Sequence, residues 1–169
     1  MDKTMGNQQV TLTDIAWLAG IWDGEGTFGI YRYNQTSNGK RSYSGRLTLS
    51  NTSQAMIDEI LRILSEFNIP VNIWKEKEGR KANHKLATHL TINKMEKVKF
   101  VCELISPYIK AKKERLDLLV RFITLRQQYK QIVGRDEKTG KLTGTKKQGY
   151  SEEELSLFDR MKNLNQTGK

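Results

Sequence analysis

The sequence has few of the residues that define several other classes of protein. Its 169 residues include one cysteine, Cys102, and two histidines. A lone cysteine cannot form an internal disulfide framework, and the histidines lack metal-ligand neighbours, which argues against a zinc site. No stretch approaches the ~20 apolar residues of a membrane span, and residues 1–9 lack the apolar core of a signal peptide. We therefore expect no membrane association and a location inside the cell, either the prokaryotic cytoplasm or the interior of an organelle that encodes the protein.

Acidic side chains are also scarce relative to basic ones. The chain carries 19 aspartates and glutamates against 29 lysines and arginines, a formal net charge of +10. Such an excess favours a polyanionic partner, with nucleic acid ahead of a membrane surface. The length suits one domain with a sizeable hydrophobic core.

A helix with one bare face is predicted near the N-terminus. Thr11 is a suitable N-cap, Asp14 stands at the capping-box position, and glycines end the apolar run. Ala16, Gly20 and Gly24 recur every four residues, so they share a helix face without bulky side chains. Small residues at this spacing allow another backbone to approach closely.

Two acids, Asp23 and Glu25, follow at the C-terminal end of this helix. The helix dipole disfavours negative charge there, by roughly 0.3 to 1 kcal/mol, so a nearby cation is expected. A divalent metal is one candidate. The alternative is a structural helix terminus, in which Asp23 accepts hydrogen bonds from backbone groups and Glu25 is solvated.

The rest of the chain alternates strands and helices. Strands are predicted over 27–33, 42–51, 71–77 and 84–92, and helices over 53–67, 93–105, about 108–133 and 151–164. Asn93 and Ser151 are expected to cap the third and last helices. The order predicts an α+β fold: an α-β-β-α-β-β-α core with a four-stranded antiparallel sheet covered by helices on one face, plus C-terminal helices. Residues 1–134 would form this core, and 135–169 a basic loop and C-terminal helix of the same domain.

The uncovered face of the sheet is predicted to be polar, basic and aromatic. A sheet with such a face can lie in a nucleic-acid groove, where arginine and lysine pair with guanine and glutamine pairs with adenine. The candidate DNA-binding residues are the outward strand positions: Tyr31, Tyr33, Gln35, Arg46, Thr48, Lys75, Lys77, Lys85, His89 and Thr91.

Residues 18–26, LAGIWDGEG, resemble the LAGLIDADG motif of homing endonucleases. The predicted order of elements is similar to the core of the single-motif, homodimeric members of that family. The resemblance implies a two-fold symmetric dimer with the motif helices at its interface. It also implies Mg²⁺-dependent double-strand cleavage of a long, partly palindromic DNA site, leaving short 3′ overhangs.

The resemblance also implies roles for motif residues. Glu25 matches the metal-binding acid, and the Gly24 carbonyl is a further candidate ligand. Mg²⁺ is the implied cofactor; Mn²⁺ is expected to substitute, and Ca²⁺ to support binding without cleavage. The residues expected at the dimer interface are Ala16, Ala19, Gly20 and Asp23.

Two further catalytic candidates come from the same comparison. Asn51 matches a polar residue at the end of the second strand, and it is equally interpretable as a strand-end cap. Lys112 matches a basic residue after the third helix, with Lys110 or Lys113 as alternatives if the register differs. Some family members have an arginine early in the second helix near the active site. No basic residue stands at the equivalent place here, and that role is either vacant or filled from elsewhere, with Arg46 as one candidate.

Other functions remain compatible with this sequence. The same scaffold could serve as an intron RNA maturase or as a DNA-binding regulator that does not cleave. A basic RNA-binding structural protein with a chance motif is a third hypothesis. Metal-dependent nicking distinguishes the endonuclease from all three.

Overall fold

The computed structural model describes residues 9–34, 41–77, 85–130 and 149–167. Its elements, in chain order, are α1 (Leu12–Gly24), β1 (Thr27–Asn34), β2 (Arg41–Asn51), α2 (Gln54–Glu66), β3 (Asn72–Lys75), β4 (Thr88–Ile92), α3 (Met95–Ile105), a short 3₁₀ turn (Ser106–Tyr108), α4 (Lys113–Lys130) and α5 (Glu152–Thr167). The α+β class and the predicted order of elements are confirmed.

Local side-chain chemistry explains where most helices begin. Thr11 and Asp14 form the predicted capping box of α1, and the Ser53 side chain accepts from the Met56 N–H at the start of α2. The helix α3 forms as predicted, but its predicted N-cap is wrong. Its N-cap is Lys94 instead of Asn93, and no side-chain hydrogen bond caps it.

The four strands form one antiparallel sheet in the order β1-β2-β4-β3. Helices cover one face, where Phe28, Leu47 and Leu90 are at most 1% exposed. A Cβ atom on Gly45 would lie 2.8 Å from the Leu119 side chain, so this glycine permits close packing of α4 on the sheet.

The second hairpin is shorter than predicted. β4 begins at Thr88, although a strand was predicted from residue 84, and Leu86 ahead of it is 42% exposed. β3 lies at the sheet edge, and all four of its residues are exposed.

The C-terminal helix packs against the first hairpin. The Tyr150 hydroxyl accepts from the Tyr43 N–H at 2.7 Å, and Asn165 donates to the Phe28 carbonyl at 3.0 Å. Glu154 is fully buried and pairs with Arg126 at 3.2 Å. None of the helices in the described ranges is long and apolar enough to cross a bilayer.

Candidate active site and nucleic-acid interface

The end of α1 meets the end of β2 at the predicted acid. Glu25 is the C-cap residue of α1, and its side chain is exposed. The Asn51 side-chain amide donates to the Glu25 carboxylate, while its oxygen accepts from the Ser53 N–H at 2.7 Å. Asn51 therefore makes the strand-end cap and the contact with Glu25 at the same time.

Asp23 is held by backbone groups from the segment that leads into α4. Its carboxylate accepts from the N–H groups of Lys110 and Ala111 at 2.9 Å and of Lys112 at 2.7 Å. Burial opposes ionisation of Asp23, but these three hydrogen bonds and the Lys112 charge outweigh it and lower its pKa. The structural interpretation of Asp23 fits this geometry.

The Lys112 ammonium group lies over the carbonyl end of α1. Its Nζ donates to the carbonyls of Gly26 at 2.7 Å, Gly24 at 2.9 Å and Trp22 at 3.5 Å. Burial and the nearby Arg115 charge lower the pKa of Lys112, against the opposing effect of Asp23 and Glu25. This ammonium is thus a cation at the negative end of the α1 dipole.

The neighbouring lysines do not occupy that position. Lys113 donates to the Ser106 hydroxyl at 2.6 Å and pairs with Asp117 at 2.9 Å. Lys110 is exposed, and its described contact with α1 is through its backbone N–H. Of the three lysines considered, the structure brings Lys112 to the acids.

The oxygen atoms exposed at this end of α1 suit a hard metal cation. The exposed Glu25 carboxylate and the Gly24 carbonyl are oxygen ligands of the kind that Mg²⁺ prefers, and a carbonyl has two lone pairs, so hydrogen bonding to Lys112 leaves one for a metal. Within the described residues no three histidines, cysteines or acids cluster as a metal site.

The bare face of α1 is open to solvent. A Cβ atom added at Gly20 or Gly24 would meet nothing within 4 Å, and Ala16 on the same face is half-buried. Leu12 and Trp17 flank this face and are 74% and 36% exposed. These five residues are called the α1 face below.

One predicted interface residue is wrong. Ala19 is 0% exposed because it points into the core of its own subunit, on the side of α1 that carries Leu18 and Trp22. It has no surface to offer a partner. Asp23 is half-buried, with its carboxylate bonded inside the subunit.

The uncovered sheet surface, called the polar face below, carries side chains from all four strands. Paired residues in an antiparallel sheet share a face, which assigns to it Thr27, Gly29, Tyr31, Tyr33, Ser42, Ser44, Arg46, Thr48, Ser50, Asn72, Trp74, His89 and Thr91. Six of the ten predicted DNA-binding residues are among these: Tyr31, Tyr33, Arg46, Thr48, His89 and Thr91.

Arg46 stacks on two tyrosines of the polar face. Its guanidinium carbon lies 4.7 Å from the Tyr33 ring centroid and 5.6 Å from that of Tyr31. Tyr33 lies at the end of β1 remote from Glu25, so the structure directs Arg46 away from the catalytic candidates and does not favour it as their missing arginine. Among the described residues, the enclosed Tyr33 hydroxyl and Arg46 Nε have no hydrogen-bond partner.

The predicted placement of Lys75 on the uncovered face of the sheet is wrong. Lys75 pairs with Thr88, which is 6% exposed and faces the helices, so Lys75 projects on that side. Its neighbour Trp74 occupies the polar face and packs against His89 with ring centroids 4.6 Å apart. Trp74 and Asn72 were not among the predicted DNA-binding residues, because both faces of β3 are exposed and its sequence pattern shows no contrast in burial between them.

The remaining predicted contacts lie at the margins. Lys77 and Lys85 are exposed just outside β3 and β4. Gln35 lies outside the described residues.

Comparison with known proteins identifies the family. The family model for a LAGLIDADG-like domain matches residues 13–106, more than half of the chain. The chain belongs to the LAGLIDADG homing endonuclease family. A comparison with curated protein sequences gave no match.

Solved structures share the fold at low sequence identity. The homing endonuclease I-CvuI in complex with its target is 19% identical, with a TM-score of 0.54 over 71% of this chain and 73% of that one. The group I intron-encoded I-CeuI complexed with DNA is 19% identical, with a TM-score of 0.56 over 90% and 68%. I-SmaMI bound to uncleaveable DNA is 13% identical, with a TM-score of 0.61 over 91% of this chain and 45% of that one.

Proposed function

We propose that this chain is a site-specific DNA endonuclease that works as a homodimer with Mg²⁺. The observation that carries the proposal is the exposed Glu25 carboxylate, held by Asn51 beside the Lys112 ammonium at the end of the motif helix. An acid, a polar side chain and a lysine therefore converge where the end of α1 meets the end of β2.

Charge and shape support DNA as the substrate. The net charge of +10 favours binding to phosphates, and the polar face offers hydroxyl, imidazole, aromatic and guanidinium groups that can contact base edges. The structures of I-CeuI and I-SmaMI were determined with DNA bound.

The chemistry would be hydrolysis of a phosphodiester bond. Mg²⁺ held by Glu25 and the Gly24 carbonyl would lower the pKa of an attacking water and polarise the phosphate. Asn51 fixes the orientation of the Glu25 carboxylate. Lys112 adds positive potential where phosphate charge develops, and its three carbonyl contacts keep the end of α1 in place.

Two copies are required for a complete centre under this proposal. Each subunit contributes one Glu25, and pairing of two α1 faces would bring the two carboxylates together. The two polar faces would then read the halves of a long, partly palindromic site, and two cuts would leave short 3′ overhangs. The open space at Gly20 and Gly24 allows such a close approach of helices.

The test begins without knowledge of the target. Random DNA duplexes that bind the full chain in Ca²⁺ are selected over several rounds, and Mg²⁺ or Mn²⁺ is then added to the bound pool. The proposal predicts enrichment of a partly palindromic sequence and its double-strand cleavage after the exchange of metal. End-sequencing of the products then reads the overhang.

Two outcomes contradict the proposal. An enriched site that stays intact in Mg²⁺ and Mn²⁺ indicates a DNA-binding regulator instead. Failure to enrich any duplex, together with tight binding to an intron RNA, indicates a maturase.

A further inference from the structure

A hydroxyl, an imidazole and a carboxylate form a chain across the polar face. The Ser50 Oγ lies 2.6 Å from His89 Nδ1, and His89 Nε2 lies 3.6 Å from Glu76 Oε1. Ser50 directly precedes Asn51, so this chain ends next to the residue that holds Glu25. None of its three members belongs to the catalytic set described above.

The imidazole is fixed on several sides. Glu76 Oε2 accepts from the Ala87 N–H at 3.2 Å, and the Glu76 N–H donates to the Ala87 carbonyl at 3.1 Å, so the carboxylate is anchored. The Trp74 ring packs on the His89 ring. His89 Nε2 is enclosed, and among the described residues it has no hydrogen-bond partner; the Glu76 carboxylate is 3.6 Å away.

This environment favours one tautomer of His89. A neutral imidazole carries its proton on one nitrogen and a lone pair on the other. A lone pair on Nε2 would face the Glu76 carboxylate and be repelled, whereas an N–H there is attracted. Nε2 therefore carries the proton, and Nδ1 is left as an acceptor.

The tautomer of His89 determines whether the Ser50 hydroxyl can donate or only accept a hydrogen bond from outside the protein. Since Nδ1 accepts, the Ser50 hydroxyl must donate its proton to it, and the hydroxyl then has none left for an outside group. The exposed Oγ therefore presents lone pairs on the polar face.

We propose that Glu76, acting through His89, makes Ser50 a hydrogen-bond acceptor that selects an amino-bearing base in the bound DNA. In the major groove, adenine and cytosine present an amino group, while guanine and thymine present acceptors at the corresponding edge positions. Ser50 is then a specificity-determining residue, and Glu76 and His89 are positioning residues. The inference rests on the proposed function, because it needs the polar face to bind DNA.

The first test measures the tautomer in the free protein. Imidazole ¹⁵N chemical shifts are recorded at about pH 8.5, above the usual pKa of histidine, with His84→Gln assigning the two histidines. We expect His89 to carry its proton on Nε2 in the wild type, and a shift toward mixed tautomers in Glu76→Gln. Glu103→Gln, which removes an equal charge on α3, should leave the signals unchanged. A proton on Nδ1 of the wild type overturns the inference, whatever the protein does with DNA.

The second test measures base preference. Wild type, Ser50→Ala, Glu76→Gln and Glu103→Gln are each used to select duplexes from a random library in Ca²⁺. We expect the wild type and Glu103→Gln to prefer adenine or cytosine at one position per half-site. Ser50→Ala and Glu76→Gln should reduce that preference by roughly two- to tenfold, the effect of about one hydrogen bond, and leave other positions unchanged.

The outcomes separate this inference from the function on which it rests. Identical profiles for Ser50→Ala and wild type, or for Glu76→Gln and wild type, overturn the inference while DNA binding stands. A wild-type pool without any enriched sequence overturns the proposed function and the inference together.

Discussion

At the scale of single residues, Asp23 and Lys112 hold the two sides of the candidate site together. The Asp23 carboxylate accepts three backbone N–H groups ahead of α4, and the Lys112 ammonium donates to three carbonyls at the end of α1. Each charge thus satisfies backbone groups of the other segment. The pair places a cation beside Glu25 without a direct role for Asp23 in the chemistry.

Replacement of Asp23 should weaken the fold most at neutral pH. We expect Asp23→Asn to lower the free energy of unfolding by about 2 to 3 kcal/mol, because charge-assisted hydrogen bonds are lost. The pKa of Asp23 is lower in the folded protein than its ordinary value of 3.8, so its stabilisation is complete above that value and is lost as the pH falls through the folded pKa. Urea unfolding across pH should therefore show the variant approaching the wild type in acid.

Asp159→Asn is the matched control, because Asp159 is exposed on α5. It should leave stability nearly unchanged. A deficit in Asp23→Asn that is equal at acid and neutral pH would contradict the assigned role of the carboxylate.

Replacement of Lys112 should affect both stability and cleavage. Lys112→Met leaves the carbonyls of Gly24 and Gly26 without this donor, and we expect a loss of about 1 to 2 kcal/mol in urea unfolding. Cleavage should slow by at least about tenfold while DNA affinity changes little. Lys110→Met, at an exposed lysine two residues away, is the control, and equal behaviour of the two variants would count against the assignment.

Single residues differ in how far the sequence predicts them. Glu25, Asn51 and Lys112 were predicted through the family resemblance, and the structure brings them together. The hydrogen-bond partners of Asp23 could not be predicted, because they lie 87 to 89 residues away along the chain. No local pattern encodes a contact that the whole fold creates.

At the scale of elements, α1 differs from the other helices in leaving a bare face toward solvent. Gly20 and Gly24 have open space where a side chain would project. A helix gains little from glycine on its own account, since glycine costs up to about 1 kcal/mol relative to alanine. The arrangement is explained if another α1 packs there.

A larger side chain at position 20, in place of Gly20, should therefore weaken the association of subunits without unfolding them. We expect Gly20→Leu to keep or raise the thermal stability of the subunit and to weaken self-association by about tenfold or more, the cost of overpacking a close helix contact. Sedimentation velocity across a concentration series measures this. Ser156→Leu, exposed on α5, controls for added apolar surface, and an unchanged dimer in Gly20→Leu would exclude the α1 face as the interface.

The C-terminal helix α5 depends on a buried charge. Glu154 is fully buried, pairs with Arg126 and accepts from the Ser151 N–H at 2.8 Å. Glu154→Ala should lower the free energy of unfolding by roughly 3 kcal/mol, because it leaves Arg126 without this partner and the Ser151 N–H without its acceptor. Glu153→Ala, next to it but half-exposed in its pairing with Arg121, should cost less than about 1 kcal/mol. Thermal melts that do not separate the two variants would refute this account.

Elements with a strong local signal were predicted well. The capping boxes of α1 and α5 follow from Thr11 with Asp14 and Ser151 with Glu154, where the partners are three residues apart. β3 was harder, because all its residues are exposed and Lys75 could be assigned to a face only through its pairing with Thr88. Edge strands carry little burial contrast, so their register depends on the neighbouring strand.

At the scale of the whole molecule, the two faces of the sheet have different surroundings. Helices cover one face and form the hydrophobic core, while the polar face stays open in a chain with a net charge of +10. The order of elements was sufficient to predict this architecture. The α1 motif ends beside the end of β2, where the Asn51 side chain contacts Glu25.

The role of Glu25 is tested most directly by cleavage of a selected duplex in Mg²⁺ by wild type, Glu25→Gln and the charge control Glu103→Gln. Binding in Ca²⁺ is measured for the same three proteins. The proposed function predicts similar affinities throughout, wild-type cleavage for Glu103→Gln, and cleavage at least about a hundredfold slower for Glu25→Gln. Cleavage by Glu25→Gln at the wild-type rate, with DNA binding unchanged, would contradict it.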